Sequence, residues 1–212
     1  MTTDTVFIVD DDAGLRSSLA LLMETEKLQS ACFASADAFL AACGPNLGGC
    51  LILDVRMPGM SGLQLQDELA LRQIHLPIIF LTGFADVPMT VGAMRKGAVD
   101  FITKPVNAAV LLERVHNALA SHRLQREAST ARSLFEARLL KLTPREREVL
   151  LLALSGMPNK TISKEMAISV RTIEGHRANI FLKLSIDSLI ELAQQAANAG
   201  MPLADIAQLP PS

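Results

Sequence analysis

Short apolar segments alternate with helical segments along the first 121 residues, and this alternation constrains the fold more than any other feature. Five segments have the length and β-rich composition of strands: Val6–Val9, Ser30–Phe33, Cys50–Asp54, Ile78–Thr82 and Asp100–Thr103. Helical patterns are predicted near 14–25, 36–42, 61–72 and 87–96, and from 106 onward. Repetition of strand and helix predicts an α/β domain in which helices cover both faces of a parallel sheet.

Polar residues follow four of the five predicted strands, at the carboxyl ends where parallel sheets gather functional side chains. They are Asp10, Asp11 and Asp12 after the first strand, Asp54 at the end of the third, Thr82 at the end of the fourth, and Lys104 with Pro105 after the fifth. Each alone has an ordinary interpretation, as a helix cap, a strand threonine or a surface lysine. Their shared edge of the sheet favours a single crevice that holds all of them.

The acidic triplet in TVFIVDDD has two interpretations. A charge run is by default a solvated turn. Three carboxylates beside a buried strand also repel one another and are costly to keep ionised. The same residues therefore suit a hard cation, which takes oxygen ligands and cancels the repulsion. The triplet alone does not decide between the two.

Charge divides the chain into an acidic front and a basic back. Residues 1–121 hold 8 lysines and arginines against 13 aspartates and glutamates, whereas residues 122–184 hold 12 against 6. This asymmetry indicates two domains, the second of which faces an anionic partner. Half of the 212 residues are hydrophobic, which is enough for two modest cores.

Hydropathy and cysteine usage bear on location. No apolar run approaches membrane-spanning length, and no basic segment precedes the first hydrophobic stretch. The sequence therefore predicts a soluble cytoplasmic protein with no membrane partner. The three cysteines, Cys32, Cys43 and Cys50, lie in apolar segments without Cys-x-x-Cys spacing, and we expect reduced, structural thiols.

Start and stop signals divide the basic half into short helices. Thr143-Pro144-Arg145-Glu146 supplies a capping threonine, a first-turn proline and a returning glutamate, while Gly156 and Pro158 end that helix. The elements predicted next are a helix over Asn159–Met166, a turn at Ala167-Ile168-Ser169, a helix over Val170–Leu184 and a tail helix over about 188–199. From the pattern alone, this part of the chain is a generic four-helix bundle.

Four stretches give the first 120 residues or so a resemblance to the receiver domain of two-component response regulators: IVDDD, LDVRMPGMSG, FLTGFADVPM and KGAVDFITKP. They cover the length of that domain, and the FixJ-like branch of the family fits them best. The resemblance implies an α/β doubly wound five-stranded parallel sheet of the flavodoxin/CheY-like type. It also implies that the acid cluster holds a cation, with Asp12 serving as a helix cap.

The resemblance implies a role for each acid. Asp54 would be the phosphoacceptor, which takes a phosphoryl group from the phosphohistidine of a sensor histidine kinase or from a small phosphodonor. Asp11, Asp54 and the backbone carbonyl of Arg56 would hold Mg²⁺, with Asp10 supporting the site partly through bound water. Lys104 would present positive charge to the phosphoryl oxygens.

The same resemblance implies a switch. The Thr82 hydroxyl would bond the aspartyl phosphate and let Phe101 turn inward, and the Lys104-Pro105 bond is often cis in this family. Phosphorylation is expected to favour a homodimer through a face of roughly Val87–Thr103, which Thr82 and Phe101 border. One departure concerns the loop Gly83-Phe84-Ala85-Asp86, where the family has Gly-His-Gly-Asp, and it bears on how this loop moves.

The tract NKTISKEMAISVRTIEGHRANIFLKL resembles the LuxR-type helix-turn-helix, and the resemblance extends from Leu142 to Leu184. It implies that the last helix of the motif binds double-stranded promoter DNA. Helical spacing places Ile173, Ile180 and Leu184 on an apolar face, and directs Arg171, Glu174, Gly175 and Ala178 to the major groove. Phosphate contacts are predicted for Lys160, Thr172, Arg177, Asn179 and Lys183, and a structural or phosphate-binding role for His176.

Two small residues depart from the LuxR-type pattern. Gly175 stands where an aliphatic residue is usual, at a cost of about 1 kcal/mol relative to Ala in a helix interior. It either permits close approach to DNA or reflects relaxed contact at that base pair. Ala167 replaces the usual turn glycine, which strains a left-handed conformation.

The connection between the halves is predicted to be helical. Residues 106–143 contain no Gly or Pro and are rich in good helix formers. We therefore expect the last receiver helix to continue as a long linker helix, with one break near Ser129-Thr130. The predicted domains are a receiver at 1–121, a helical linker at 122–141 and a DNA-binding domain at 142–212.

The function predicted from these motifs is a phosphorylation-switched transcription factor, not an enzyme, that activates transcription with RNA polymerase. Two alternatives stay open at this point. In the first, Asp10-x-Asp12 belongs to a phosphohydrolase with Asp10 as its nucleophile, which leaves Asp54 and the basic half unexplained. In the second, a degenerate receiver is joined to a phosphorylation-independent DNA-binding domain, and the complete set of Asp11, Asp54, Thr82 and Lys104 argues against it.

Overall fold

The structure, a computed structural model, describes residues 4–44, 47–83 and 92–206. The chain divides into two compact units, residues 1–124 and 125–212. The first unit contains β1 (Thr5–Val9), α1 (Ala13–Thr25), β2 (Gln29–Phe33), α2 (Ala36–Ala42), β3 (Gly49–Asp54), α3 (Gly62–Leu71), β4 (Ile78–Thr82), β5 (Ala98–Thr103) and the start of α4 (Ala108–Leu139). All five predicted strands are confirmed. Of the helix predicted over 87–96, the backbone is helical at 92–95 and turns at Lys96, and the residues up to 91 lie outside the described ranges.

The five strands form one parallel sheet in the order β2-β1-β3-β4-β5. Its two faces bury separate apolar layers: α1 and α4 cover one face, and α2 and α3 cover the other. Burial on both faces explains why strands such as Cys50-Leu51-Ile52-Leu53 read as continuous apolar runs rather than as alternating patterns. The strand order reverses direction between β1 and β3, so the carboxyl ends of these two strands border the topological switch point.

Two caps fix the helices that follow the strands nearest this point. Asp12 caps α1, and its Oδ1 accepts hydrogen bonds from the backbone N–H groups of Gly14 and Leu15 at 2.8 and 3.1 Å. Ser61 caps α3 in a reciprocal capping box with Gln64. The prediction that Asp12 is a cap is confirmed, and these hydrogen bonds lower the pKa of its carboxyl group.

Helix α4 runs without interruption from Ala108 to Leu139, so the predicted break near Ser129-Thr130 is wrong. Its first part packs in the core of the first unit, where Leu111 and Val115 are fully buried. No residue between 123 and 134 is buried, and Phe135 and Leu139 then enter the core of the second unit. Packing at its two ends, together with helix-forming residues between them, accounts for the continuous helix.

The second unit comprises the end of α4 followed by α5 (Pro144–Leu154), α6 (Asn159–Glu165), α7 (Val170–Leu184), α8 (Leu189–Asn198) and α9 (Leu203–Ile206). Thr143 and Glu146 form the predicted capping box. Gly156 follows α5 with φ +84°, and Ala167 holds the turn between α6 and α7 with φ +54°. The turn thus keeps its left-handed residue without glycine, at a steric cost.

The cysteine prediction holds in part. Cys50 is buried in β3, and burial raises the pKa of its thiol to about 12. Cys32, however, is exposed, because β2 is an edge strand of the sheet. All three cysteines are free thiols. Within the described ranges, no helix is both long and apolar enough to cross a membrane.

Candidate functional site

Three acids meet at the switch point of the sheet. Asp10 and Asp11 directly follow β1, and Asp54 ends β3. One carboxylate oxygen of each lies within 4.8 Å of those of the other two. Asp10 and Asp54 are 1% and 6% exposed, whereas Asp11 is exposed. The strand-end rule therefore placed the cluster correctly, and the cluster is open to solvent on the side of Asp11.

Lys104 joins two of these acids. Its Nζ lies 2.9 Å from Asp10 Oδ2 and 3.1 Å from Asp54 Oδ1. Burial raises the pKa of Asp54, and the nearby Asp10 charge adds to this, against the opposing effect of Lys104. Burial alone would lower the pKa of Lys104, but its hydrogen bonds to Asp10 and Asp54 outweigh that effect and raise the pKa. The Lys104-Pro105 peptide bond is cis, as predicted.

Backbone contacts fix the acids in place. Asp10 Oδ1 accepts from the Asp12 N–H at 2.9 Å, and the Arg16 guanidinium donates to the Asp10 carbonyl at 2.6 Å. The Arg56 backbone donates to the Asp54 carboxylate and opposes the rise in its pKa. Gly62 packs so closely that a Cβ there would overlap the Asp54 carbonyl oxygen. Sequence reasoning missed Arg16 and Gly62, although a glycine directly after a capping serine was a usable signal.

The donor set of this pocket fits Mg²⁺. It offers oxygen ligands from Asp10, Asp11 and Asp54, and Mg²⁺ takes few protein ligands and keeps several waters. The exposed side of the cluster leaves space for those waters. Three carboxylates against one lysine also leave an excess of negative charge, which a divalent cation would neutralise.

Thr82 and Phe101 lie on the neighbouring strands. Thr82 is buried at the end of β4, and its carbonyl accepts from the Lys104 N–H at 2.8 Å. Phe101 pairs with Phe80 across β4 and β5, and the two rings stack with centroids 4.8 Å apart. The Phe101 side chain is only partly buried. Of the loop singled out after Thr82, only Gly83 lies within the described residues.

Helix α7 presents two different faces. Ile173, Ile180 and Leu184 are buried against the other helices of the second unit, as predicted. The four residues assigned to the major groove, Arg171, Glu174, Gly175 and Ala178, are all exposed. Apart from its chain neighbours and the backbone of its own helix, no described atom lies within 4 Å of a Cβ added at Gly175, so packing inside the described protein does not require glycine there.

The residues assigned to phosphate lie in different environments. Lys160 and Asn179 are exposed, while His176 is partly buried. The Thr172 hydroxyl lies 2.8 Å from that of the capping Ser169, so it serves the start of the helix as well as the surface. Arg177 bonds Asn159 Oδ1 at 3.1 Å and lies over the Phe181 ring at 5.8 Å. These residues flank the exposed face of α7.

Lys183 differs from this group. Its Nζ lies 2.6 Å from Oε2 of the buried Glu146, which is 3% exposed at the start of α5. The prediction of a phosphate contact did not anticipate this partner, because the two residues are 37 positions apart and meet only through the packing of α5 against α7.

A receiver-type parallel sheet with an acid pocket, joined to a helix-turn-helix unit, defines a DNA-binding response regulator of a two-component system. The sequence agrees: a model of the response regulator receiver domain matches residues 6–116, and one described as bacterial regulatory proteins of the luxR family matches residues 140–196. The chain belongs to this family of transcriptional regulators.

Similar proteins match along nearly the whole chain. The transcriptional regulatory protein FixJ of Azorhizobium caulinodans is 43% identical over 94% of this chain and 95% of its own length. FixJ of Rhizobium meliloti is 42% identical over 94% and 98%. Among solved structures, the response regulator StyR has 38% identity and a TM-score of 0.87, covering 92% of this chain and 99% of StyR. Full-length FixJ from B. japonicum has 38% identity and a TM-score of 0.58, covering 95% and 100%.

Proposed function

We propose that Asp54 is the phosphoacceptor through which a sensor histidine kinase controls binding of this regulator to promoter DNA. A receiver joined to a DNA-binding domain implies both of these partners, and phosphorylation-driven activation is the general mechanism of the family. The observation that carries the residue assignment is the pocket in which Asp54 lies 3.1 Å from Lys104 and beside Asp10 and Asp11.

The chemistry follows from the positions of these groups. An Asp54 carboxylate oxygen attacks the phosphorus of a phosphohistidine; the new P–O bond forms as the P–N bond breaks, and the histidine nitrogen keeps the bonding electron pair. Lys104 is within reach of the transferred phosphoryl oxygens and offsets their charge. The product is an acyl phosphate, which carries more negative charge than the carboxylate that it replaces, and Lys104 together with a bound cation would offset the added charge.

Mg²⁺ is the cofactor of this proposal. Asp11, Asp54 and the Arg56 carbonyl would hold the ion, and Asp10 would support it. When bound, the ion spreads the charge of the phosphoryl group during transfer. Both acids accept hydrogen bonds, but Asp10 is the less accessible nucleophile, since it is 1% exposed against 6% for Asp54 and its two oxygens accept separately from Asp12 and Lys104. This argues against the phosphohydrolase alternative.

The proposed output is a homodimer. Thr82 ends β4 and pairs with Thr103 of the outer strand β5, which carries Phe101, and Val99 of β5 and the nearby Met94 are exposed. Contact of Thr82 with the aspartyl phosphate would change the packing of Phe101 and hence the shape of this surface. Two DNA-binding units would then read two half-sites and activate transcription with RNA polymerase. Promoter DNA and the kinase place this activity in the cytoplasm.

The proposed DNA contacts follow the exposed residues of the second unit. Arg171, Glu174, Gly175 and Ala178 would face base edges, which give specificity. Lys160, Thr172, His176, Arg177 and Asn179 would lie near phosphates, which give affinity and salt dependence. We leave Lys183 out of this set because its ammonium group already binds Glu146.

Incorporation of labelled phosphate from acetyl phosphate tests the assignment. The wild-type chain should be labelled in Mg²⁺ and not in EDTA, and Asp54→Asn should abolish labelling because the amide replaces the nucleophile at nearly constant shape. Asp12→Asn is the matched control, since Asn is an equally good helix cap and label should persist. Labelling that survives in Asp54→Asn would contradict the proposal.

A further inference from the structure

We propose that Lys183 is a positioning residue: its ion pair with the buried Glu146 fixes the recognition helix α7 for reading DNA, and it does not bind phosphate. The inference rests on the proposed DNA-binding role of α7. It changes the role of the last lysine of that helix from a source of affinity to a source of specificity.

Glu146 is the fixed partner of the pair. Three donors converge on its Oε2: the Thr143 N–H at 2.7 Å, the Thr143 hydroxyl at 3.0 Å and Lys183 Nζ at 2.6 Å. Its side chain is almost fully enclosed, while that of Lys183 is about one-third exposed. A carboxylate removed from water in this way requires a cation, whereas an exposed phosphate can exchange its partners with solvent ions.

The pair joins the start of one helix to the end of another. Glu146 is in the first turn of α5, and Lys183 is in the last turn of α7. The apolar residues Ile173 and Ile180 hold α7 against the domain by non-directional packing, which tolerates small rotations of the helix. A charge-assisted hydrogen bond is directional, so it restricts the rotation of α7 about its axis. That rotation sets where Arg171 and Glu174 meet the base edges.

The alternative role makes opposite predictions. A phosphate-binding Lys183 would contribute about 0.9 to the slope of the logarithm of the DNA-binding constant against the logarithm of the salt concentration. Its loss would weaken binding to all DNA sequences alike. It would also be restrained by Glu146, so Glu146→Gln would release it and strengthen binding to any duplex. A positioning Lys183 leaves the salt slope unchanged, and its loss lowers the ratio of specific to non-specific affinity.

The experiment uses the full-length chain, treated with acetyl phosphate and Mg²⁺. A duplex selected by the wild type from a random pool is compared with a scrambled duplex, across a salt series and below the melting temperature of every variant. We expect Lys183→Met and Glu146→Gln each to lower the specificity ratio by about tenfold, the scale of one charge-assisted hydrogen bond. The double variant should lose no more than the worse single variant, because both changes remove the same contact.

Lys160→Met is the matched control. Lys160 is an exposed lysine near α7 and a proposed phosphate contact, so its loss should reduce the salt slope and leave the ratio unchanged. The Lys183→Met variant could unfold because Glu146 loses its cation. In that case the specificity ratios of Glu146→Gln and of the double variant still test the positioning role, since neither variant leaves a buried carboxylate unpaired. The inference would be overturned if Glu146→Gln kept the wild-type ratio of specific to non-specific affinity, or if it bound the scrambled duplex more tightly than the wild type does.

Melting temperatures without DNA separate this inference from the proposed function. Lys183→Met and Glu146→Gln should be non-additive in the double variant, whether or not DNA is bound. A wild type that selects no sequence would refute the proposed DNA contacts. Additive effects on the melting temperature would refute the pair itself.

Discussion

Each unit of this chain holds a lysine against a buried carboxylate, but the two sites differ in charge balance: the first has an excess of acids, and the second is balanced. In the receiver, Lys104 faces both Asp10 and Asp54, with Asp11 close by. In the DNA-binding unit, Lys183 faces Glu146. Burial raises the pKa of Asp54 despite its lysine. Burial also acts to raise the pKa of Glu146, but the hydrogen bonds from Lys183 and Thr143 outweigh it and lower the pKa.

The two sites therefore suit different purposes. Where acids outnumber bases, the site keeps unsatisfied negative charge, which favours a bound cation. Where one acid meets one base and two cap donors, the site is complete and gains nothing from a ligand. The receiver arrangement suits cation binding and phosphoryl transfer, whereas the arrangement in the DNA-binding unit suits a fixed contact between two helices.

The largest effect is expected at Gly62, where the receiver pocket is tightest. In Gly62→Ala the new Cβ would overlap the Asp54 carbonyl oxygen, which is backbone and cannot turn aside. We expect a loss of about 3 kcal/mol in the free energy of unfolding, and slower labelling by acetyl phosphate. Urea unfolding of the full chain, with the two units monitored separately, measures the change in the free energy of unfolding.

Gly175→Ala provides the contrast in the other unit. A Cβ there meets no described atom within 4 Å outside its own stretch of helix, so we expect a gain of about 1 kcal/mol from helix propensity. Equal losses from the two glycine substitutions would show that the pocket is no more tightly packed than the surface of α7.

A smaller loss is expected for Lys183→Met at neutral pH. The change removes the lysine and leaves the Glu146 carboxylate with the two Thr143 donors among the residues that the structure describes, and we expect the second unit to lose about 1–2 kcal/mol. The pKa of Glu146 is lowered from its ordinary value of 4.5, so the stabilisation is complete above that value and disappears as the pH falls through the folded-state pKa. Wild type and variant should therefore converge in acid. A difference that persists at all pH values would show that Lys183 acts through packing rather than charge.

The smallest effect is expected for Asp54→Asn without Mg²⁺. Because the pKa of Asp54 is raised, its ionised form costs stability at neutral pH, and this cost is relieved as the pH falls through the folded-state pKa. The substitution should thus raise the melting temperature of the receiver by about 3 °C at pH 7. Mg²⁺ should stabilise the wild type more than the variant. A receiver that is destabilised by Asp54→Asn in EDTA would contradict the imbalance of charge inferred above.

The position of the receiver pocket was predictable because a general rule of parallel sheets determines where most of its residues lie. Once the strands ending at Val9 and Asp54 are recognised from their apolar runs, their carboxyl ends must share an edge. The cap at Asp12 follows from local chemistry alone. By contrast, the closeness of Gly62 to Asp54 depends on how α3 approaches β3, which no local pattern specifies.

The contacts of the DNA-binding unit were harder to predict. Periodicity identified its buried and exposed faces, since it needs only the helical repeat. It could not identify the partner of Lys183, because Glu146 had already been assigned to the cap of α5, where it also belongs. The predicted break at Ser129-Thr130 failed for a related reason: propensities differ by tenths of a kcal/mol per residue, and packing at both ends of α4 exceeds them.

The long helix α4 has a consequence for how such chains diversify. None of its residues from 123 to 134 is buried, so no core contact depends on their identity. Substitutions there should leave both cores intact as long as they preserve the helix, although Arg123 also pairs with Asp4 at 2.8 Å. Recombination within these codons could join one signal-receiving half to a different output half without disturbing either core. The exposed helix is thus the natural crossover point for exchanging modules between genes.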